Sequence, residues 1–286
     1  GYTVKPLLPY NPITVKPILP YNRFYGYKYI TLAAHRNWIR SDKFALTEQK
    51  PMLRHIKETL KKPFFTDQRT LLALWLLLPI VAGLTKLSSN NFKIYRHVFW
   101  HLWQQVSLFA PYPEEYADTN HYGPLFALVI APFAVMPPWL GIVLWNVCMT
   151  LCLYTAIRRM PLAQRLAVFA LWFCAHELLT ALFMVQFNVV VAAILLGTWA
   201  CVERERDWAA ALLIVIGTLV KLYGVVGLAF FFFSRHKLRF ALWCVVWSVV
   251  LFALPMLLSS PAYVVGQYAE WLTSLMEKNA QNTHVQ

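Results

Sequence analysis

Residues 123–159 read GPLFALVIAPFAVMPPWLGIVLWNVCMTLCLYTAIRR. Two apolar segments, 123–136 and 139–157, meet at Pro137-Pro138, and the second runs into Arg158 and Arg159. A helix needs about 20 residues to cross a bilayer core, so the second is long enough and the first is not. Whether they make one crossing or two sets the sidedness of everything that follows. The rest of the chain decides it.

The composition places the chain in a membrane. Hydrophobic residues make up 59% and charged residues 14%, against about 45–50% and about 25% in ordinary soluble domains. A soluble fold of this makeup would expose very large apolar patches. Further apolar segments lie at 70–87, 163–185, 189–202, 208–220, 222–233 and 240–259. The fold class expected is an all-α polytopic membrane protein.

Lysine and arginine then orient it. Residues 50–69 carry Lys50, Arg54, Lys57, Lys61, Lys62 and Arg69, and three later loops are basic: RRMPLAQR (158–165), the mixed-sign ERERD (203–207) and SRHKLR (234–239). Loops of this kind stay in the cytoplasm. If 70–87 runs outward, residues 88–122 form a periplasmic loop, and a return by Arg158 requires 123–136 and 139–157 to make one crossing. The first is then a partial helix turning back at Pro137-Pro138, which is tolerated where broken backbone lines a protein cavity. Spans 163–185, 189–202, 208–220, 222–233 and 240–259 alternate from there, and 260–286 is the start of a periplasmic loop. The rival topology makes 123–136 a full span and puts Arg158, Arg159 and Arg165 outside.

The N-terminal region differs in kind. TVKPLLPYNP and TVKPILPYNR repeat eleven residues apart within residues 1–51, and such proline density excludes regular helix or interior strand. The first methionine is Met52. Residues 1–51 are therefore expected to be a disordered or non-native tail, or alternatively a cytoplasmic binding tail, with 52–69 a basic amphipathic flank and 70–259 the bundle. No signal peptide is visible. The five cysteines (148, 152, 174, 201 and 244) sit in apolar runs without metal-ligand spacing and read as small packing residues. No metal-ligating residues, resident cofactor or nucleic-acid partner are expected, a divalent metal being left open; the bilayer is the first partner.

On this topology polar groups gather on the outer side. The stretch PYPEEYADTNHYGP (111–124) holds Glu114, Glu115 and Asp118, and the same loop supplies Lys93, Arg96, His97, His101 and His121. FMVQFN brings Gln186 and Asn188, TLVKLYG brings Lys221, and the tail adds Glu270 and Trp271. A mid-span lysine costs about 2.5–3.5 kcal/mol on insertion scales. Lys221 either snorkels from a helix end or serves as a point charge for an anionic lipid phosphate. Glu177, beside His176 in CAHELLTALF, is an intramembrane carboxylate with a functional role or a neutralised, paired one. The acids of 111–124 are either simply solvated or hold a general base for a hydroxyl.

In order and spacing these elements resemble glycosyltransferase family 87. Asn91-Phe92-Lys93-Ile94-Tyr95 falls where the family has Asp-Phe-x-Val-Tyr; Tyr122 through Pro137 matches its tyrosine- and proline-bounded apolar element. Gln186 to Asn188 and Lys221 match a Gln-x-Asn and a lysine turn. The likeness covers residues 64–280. It implies a GT-C-like helical bundle with partial or re-entrant helices in the bacterial inner membrane, its N-terminus cytoplasmic. It further implies transfer of a hexosyl or pentosyl unit from a polyprenyl-phosphate-linked donor to a glycan or glycolipid acceptor of the cell envelope, by direct displacement on the periplasmic side. Lys221, with Lys93 or Arg96, would steady the lipid phosphate. Asn91, Tyr95, His121, Tyr122, Gln186, Asn188 and Glu177 would bind substrate or brace the site. Two departures stand out. Asn91 occupies the family's acid, which moves the base to Asp118, Glu115 or Glu114, or leaves an inactive scaffold. Relatives also continue beyond the segment near Pro261, so the chain reads as a C-terminally truncated fragment. A transporter or lipid flippase using Glu177 and Lys221 as coupling charges is the alternative; internal repeats would favour it, and the membrane region has none.

Overall fold

The computed structural model describes Glu58 and residues 62–284; the tail 1–51 and half of the flank 52–69 lie outside the described residues. After a helical turn at Pro63–Thr66 come α1 (Gln68–Thr85), α2 (Asn90–Gln104), α3 (Phe126–Ala134), α4 (Pro138–Arg159), α5 (Gln164–Phe183), α6 (Asn188–Glu203) and α7 (Asp207–Val220). A 3₁₀ segment (Leu222–Phe233), α8 (Lys237–Ala253, extended by a 3₁₀ turn at Leu254–Leu257) and α9 (Pro261–His284) complete the chain. No strand occurs among the described residues. Four helices are long and apolar enough to cross a membrane: α1, α4, α5, and α8 with its 3₁₀ extension. The chain is an all-α polytopic membrane protein.

Polar contacts sort to two ends. At the basic end Arg158 donates to Gln68 (3.1 Å), Arg235 pairs with Glu205 (2.7 Å), and Arg239 Nε bonds Asp207 (2.8 Å). At the opposite end Asn91 reaches Met184, Ser107 reaches Glu270, Trp271 reaches His121, and Lys221 reaches Asn188. Helix α4 runs between the two ends, whereas α3 packs on α2 and α4 at the non-basic end. Pro132 and the Pro137-Pro138 pair leave α3 nine residues long. Its last carbonyls, which no helical N–H can reach, are capped by Arg96, whose Nε and Nη2 lie 3.2 and 3.1 Å from Ala134 O.

An aromatic cluster ties these half-helices to the long ones. Tyr95 and Trp145 both stand edge-on to Phe126, at 5.0 and 6.0 Å, and Trp145 stacks on Phe187 at 6.2 Å. All four residues are at most 2% exposed. Two segments expected as loop contain helix. Within 88–122, α2 buries Phe92, Tyr95, Phe99 and Leu102, a stripe at helical spacing. Beyond residue 260, α9 buries Val264, Gln267 and Trp271 in the same way.

The 3₁₀ segment doubles back on α7, and two glycines allow the approach. A Cβ on Gly224 would stand 2.1 Å from Gly217 C and 2.3 Å from Thr218 N. Because backbone cannot swing aside, Gly224→Ala is expected to lower the unfolding midpoint in detergent, by the equivalent of about 1–3 kcal/mol as in other overpacked cores. An unchanged midpoint would show that the pair is not in contact.

Candidate functional site

The α5–α6 turn is the floor of the site. Val185 has φ of 50°, which is uncommon for a β-branched residue, and such strain, of order 1–3 kcal/mol, persists only where surroundings enforce it. Here they do. Tyr95 Oη donates to Val185 O (2.8 Å), Asn91 Nδ2 to Met184 O (2.7 Å), and Gln186 N to Ala181 O (2.9 Å). Tyr95 has one hydroxyl proton and spends it on Val185, so the 3.0 Å contact between Tyr95 and Tyr122 hydroxyls has Tyr122 donating.

A tight loop presents Tyr122. Asn120, fully buried, bonds both the N–H and the C=O of Tyr122 at 2.9 Å. Gly123 N donates to Val220 O at 3.0 Å, and a Cβ there would lie 2.1 Å from Leu219 O. Only glycine lets this loop press against the end of α7, where helix gives way to an extended Lys221. Lys221 Nζ donates to Asn188 Oδ1 (2.8 Å) and lies 5.5 and 5.3 Å from the rings of Tyr122 and Tyr223, within cation–π range. Gln186 Oε1 accepts from Asn188 at 3.4 Å. An ammonium carries three donors, and among the described residues Asn188 takes one.

The three acids of the 111–124 stretch part company. Glu115 Oε2 accepts from buried His101 Nε2 at 2.8 Å, with His97 Nε2 at 3.7 Å, so it holds the loop onto α2. Glu114 is exposed. Asp118 accepts from Thr119 N (2.8 Å) and lines a cleft of about 660 Å³ with Ser107, His121, Glu270, Glu277 and Lys278. Both ring nitrogens of His121 are buried without a hydrogen-bond partner among the described residues. Glu270 accepts from Ser107 (2.7 Å) and Gln267 (2.9 Å).

The remaining sequence candidates lie elsewhere. Arg96 spends its guanidinium on α3, and Lys93 is exposed. Glu177 points away from the bundle, 84% exposed, 3.6 Å from His176, so it does not meet Lys221. The cleft residues Glu277 and Lys278 were not foreseen, nor was Gln267, which bonds Leu108 N and Glu270; the spacing of Val264, Gln267 and Trp271 was the only trace of their helix.

Burial holds the His101 imidazole below its ordinary value, against the pull of Glu115. Burial also lowers His121, with Lys278 and Lys221 adding to it and Asp118 opposing. A histidine with a depressed folded pKa takes up its proton more readily unfolded. Stability is therefore complete above the unfolded pKa and declines as pH drops through about 6.5. The midpoint is expected to fall on acidification below about pH 6.5, and His121→Gln to shrink that fall. A pH-independent midpoint would contradict it.

Fold and site together define the class: an all-α polytopic membrane protein whose polar groups gather around a half-buried lysine at the end opposite its basic loops. The chain belongs to glycosyltransferase family 87, whose profile matches residues 120–286, more than half of it. It is a membrane glycosyltransferase. No curated protein and no solved structure matches the chain. The family match takes in Tyr122 through Pro137, Gln186 to Asn188, Lys221 and α9, and begins after α2, leaving Asn91 and Tyr95 outside.

Proposed function

We propose that the protein transfers a sugar from a polyprenyl-phosphate-linked donor to a glycan or glycolipid acceptor at the non-basic end of its bundle, which the positive-inside bias puts in the periplasm of a bacterial inner membrane. The observation that carries this reading is Lys221: a cation at a helix break, fixed by Asn188 between two tyrosine rings, with N–H groups left for an anion. The lipid phosphate binds there as the leaving group. Asp118, which opens on the adjoining cleft, takes the proton of the acceptor hydroxyl. The resulting oxygen attacks the anomeric carbon as the bond from that carbon to the phosphate oxygen breaks. The electron pair goes to the phosphate, where preorganised donors are most effective. Asn91 braces the α5–α6 turn as an amide donor, a task that needs no acid.

The test uses the full-length protein in liposomes, supplied with sugar on a polyprenyl phosphate or on a nucleotide. Transfer from the lipid-linked donor alone, at the face away from the basic loops, is expected. Transfer from the nucleotide sugar alone would overturn the donor assignment. No transfer from either would favour the inactive scaffold.

A further inference from the structure

Opening at the basic end and running along α6 as far as Val190, a groove of about 480 Å³ between α4, α6 and α7 is used by no step above. Its walls are kept low by short side chains: Ala156 on α4 and Ala193, Gly197 and Ala200 on α6. Arg159, Arg204 and Arg206 stand at its mouth. Arg204 is already committed, donating to Ala200 O (2.8 Å) and to Arg159 O, and so staples the ends of α6 and α4 together. Arg159 and Arg206 are exposed. Neither guanidinium has a hydrogen bond or ion pair among the described residues. The nearby acids are taken, Glu205 by Arg235 and Asp207 by Arg239; Glu203 is exposed and does not line the groove.

Shape selects the occupant. From Val190 to Arg204 the groove follows α6 for about 21 Å, more than one leaflet of a hydrocarbon core about 30 Å thick. Spread over that length, 480 Å³ leaves a mean cross-section of about 23 Å². That admits one extended hydrocarbon chain, not a helix about 10 Å across. A soluble anion would have no use for the apolar walls. Two guanidiniums at the mouth match the oxygens of a phosphate, which arginine grips through paired donors.

We infer that this groove binds an anionic phospholipid of the leaflet at the basic end, its phosphate on Arg159 and Arg206 and one acyl chain along Ala193, Gly197 and Ala200. The inference does not depend on the transfer reaction and survives if that reading fails.

Native mass spectrometry of the full-length protein in neutral detergent tests it, with dioleoyl phosphatidylglycerol, dioleoyl phosphatidylcholine, glycerol phosphate and polyprenyl phosphate as probes. Phosphatidylglycerol is expected to bind at least about tenfold more tightly than phosphatidylcholine, the scale of one to two basic contacts. Arg159→Gln with Arg206→Gln should weaken phosphatidylglycerol about 30-fold and leave phosphatidylcholine alone. Gly197→Leu should weaken both lipids by filling the groove; its Cβ meets only Leu213 Cδ1, at 3.1 Å, so the fold should tolerate it. Equal binding of the two phospholipids would overturn the inference, as would undiminished phosphatidylglycerol binding by the arginine variant. Tighter binding of glycerol phosphate or of polyprenyl phosphate would do the same, reassigning the site to a free anion or to the carrier lipid.

Discussion

Asp118→Asn is expected to slow sugar transfer by the full-length protein about 10²- to 10⁴-fold, the usual cost of losing a general base, with an unchanged unfolding midpoint. The side chain is exposed and its one bond among the described residues, from Thr119 N, is one that an asparagine oxygen also accepts. The variant therefore removes basicity and little else. The two neighbouring acids serve as internal controls. Glu115→Ala strips buried His101 of its only Nε2 partner among the described residues; an unsatisfied buried group costs about 1–3 kcal/mol, so stability should fall before the chemistry does. Glu114→Gln should behave as wild type. Wild-type rates for Asp118→Asn, or loss of activity in Glu114→Gln, would remove Asp118 from the mechanism.

Lys221→Met comes next in size, with transfer efficiency expected to drop about 10²- to 10³-fold, as when a donor to developing negative charge is deleted. Methionine keeps the length and apolar stem but loses the ammonium. A structural role must be separated from a phosphate role, because Lys221 also pins the start of α6 through Asn188. Asn188→Ala breaks that pin while leaving the cation. If pinning were the whole story, the two variants would lose activity equally and both would melt early. If the charge matters, Lys221→Met should be much the slower of the two, and Lys221→Arg should recover part of the rate, since arginine keeps the charge but not the ammonium's compact geometry.

Much of the membrane region was legible from local pattern. Segment 163–185 corresponds to α5 at 164–183, 189–202 to α6 at 188–203, and 208–220 to α7 at 207–220, because apolar runs and their polar interruptions are local properties. The expectation of a single crossing for 123–159 rested on arginine positions and helix length, and α3, at nine residues, is too short to span a bilayer core. Helix α2 escaped because Lys93, Arg96, His97 and His101 interleave with its apolar stripe, so it never registers as an apolar segment. The sequence also gave no sign that Leu222–Phe233 winds as 3₁₀ helix; that follows from the glycine contact with α7.

Composition was sufficient for the class, and short ordered motifs around Tyr122–Pro137, Gln186–Asn188 and Lys221 for the family, since each rests on residues near one another in the chain. The site needed the fold. Lys221 meets Asn188 across 33 residues and Ser107 meets Glu270 across 163, and contacts at such range depend on how each helix is rotated about its axis. That rotation turned Glu177 outward, set Arg96 on the end of α3, tied Glu115 to His101, and left Asp118 facing the cleft. Three carboxylates within five residues are equivalent as text; packing against partners remote in sequence made them different.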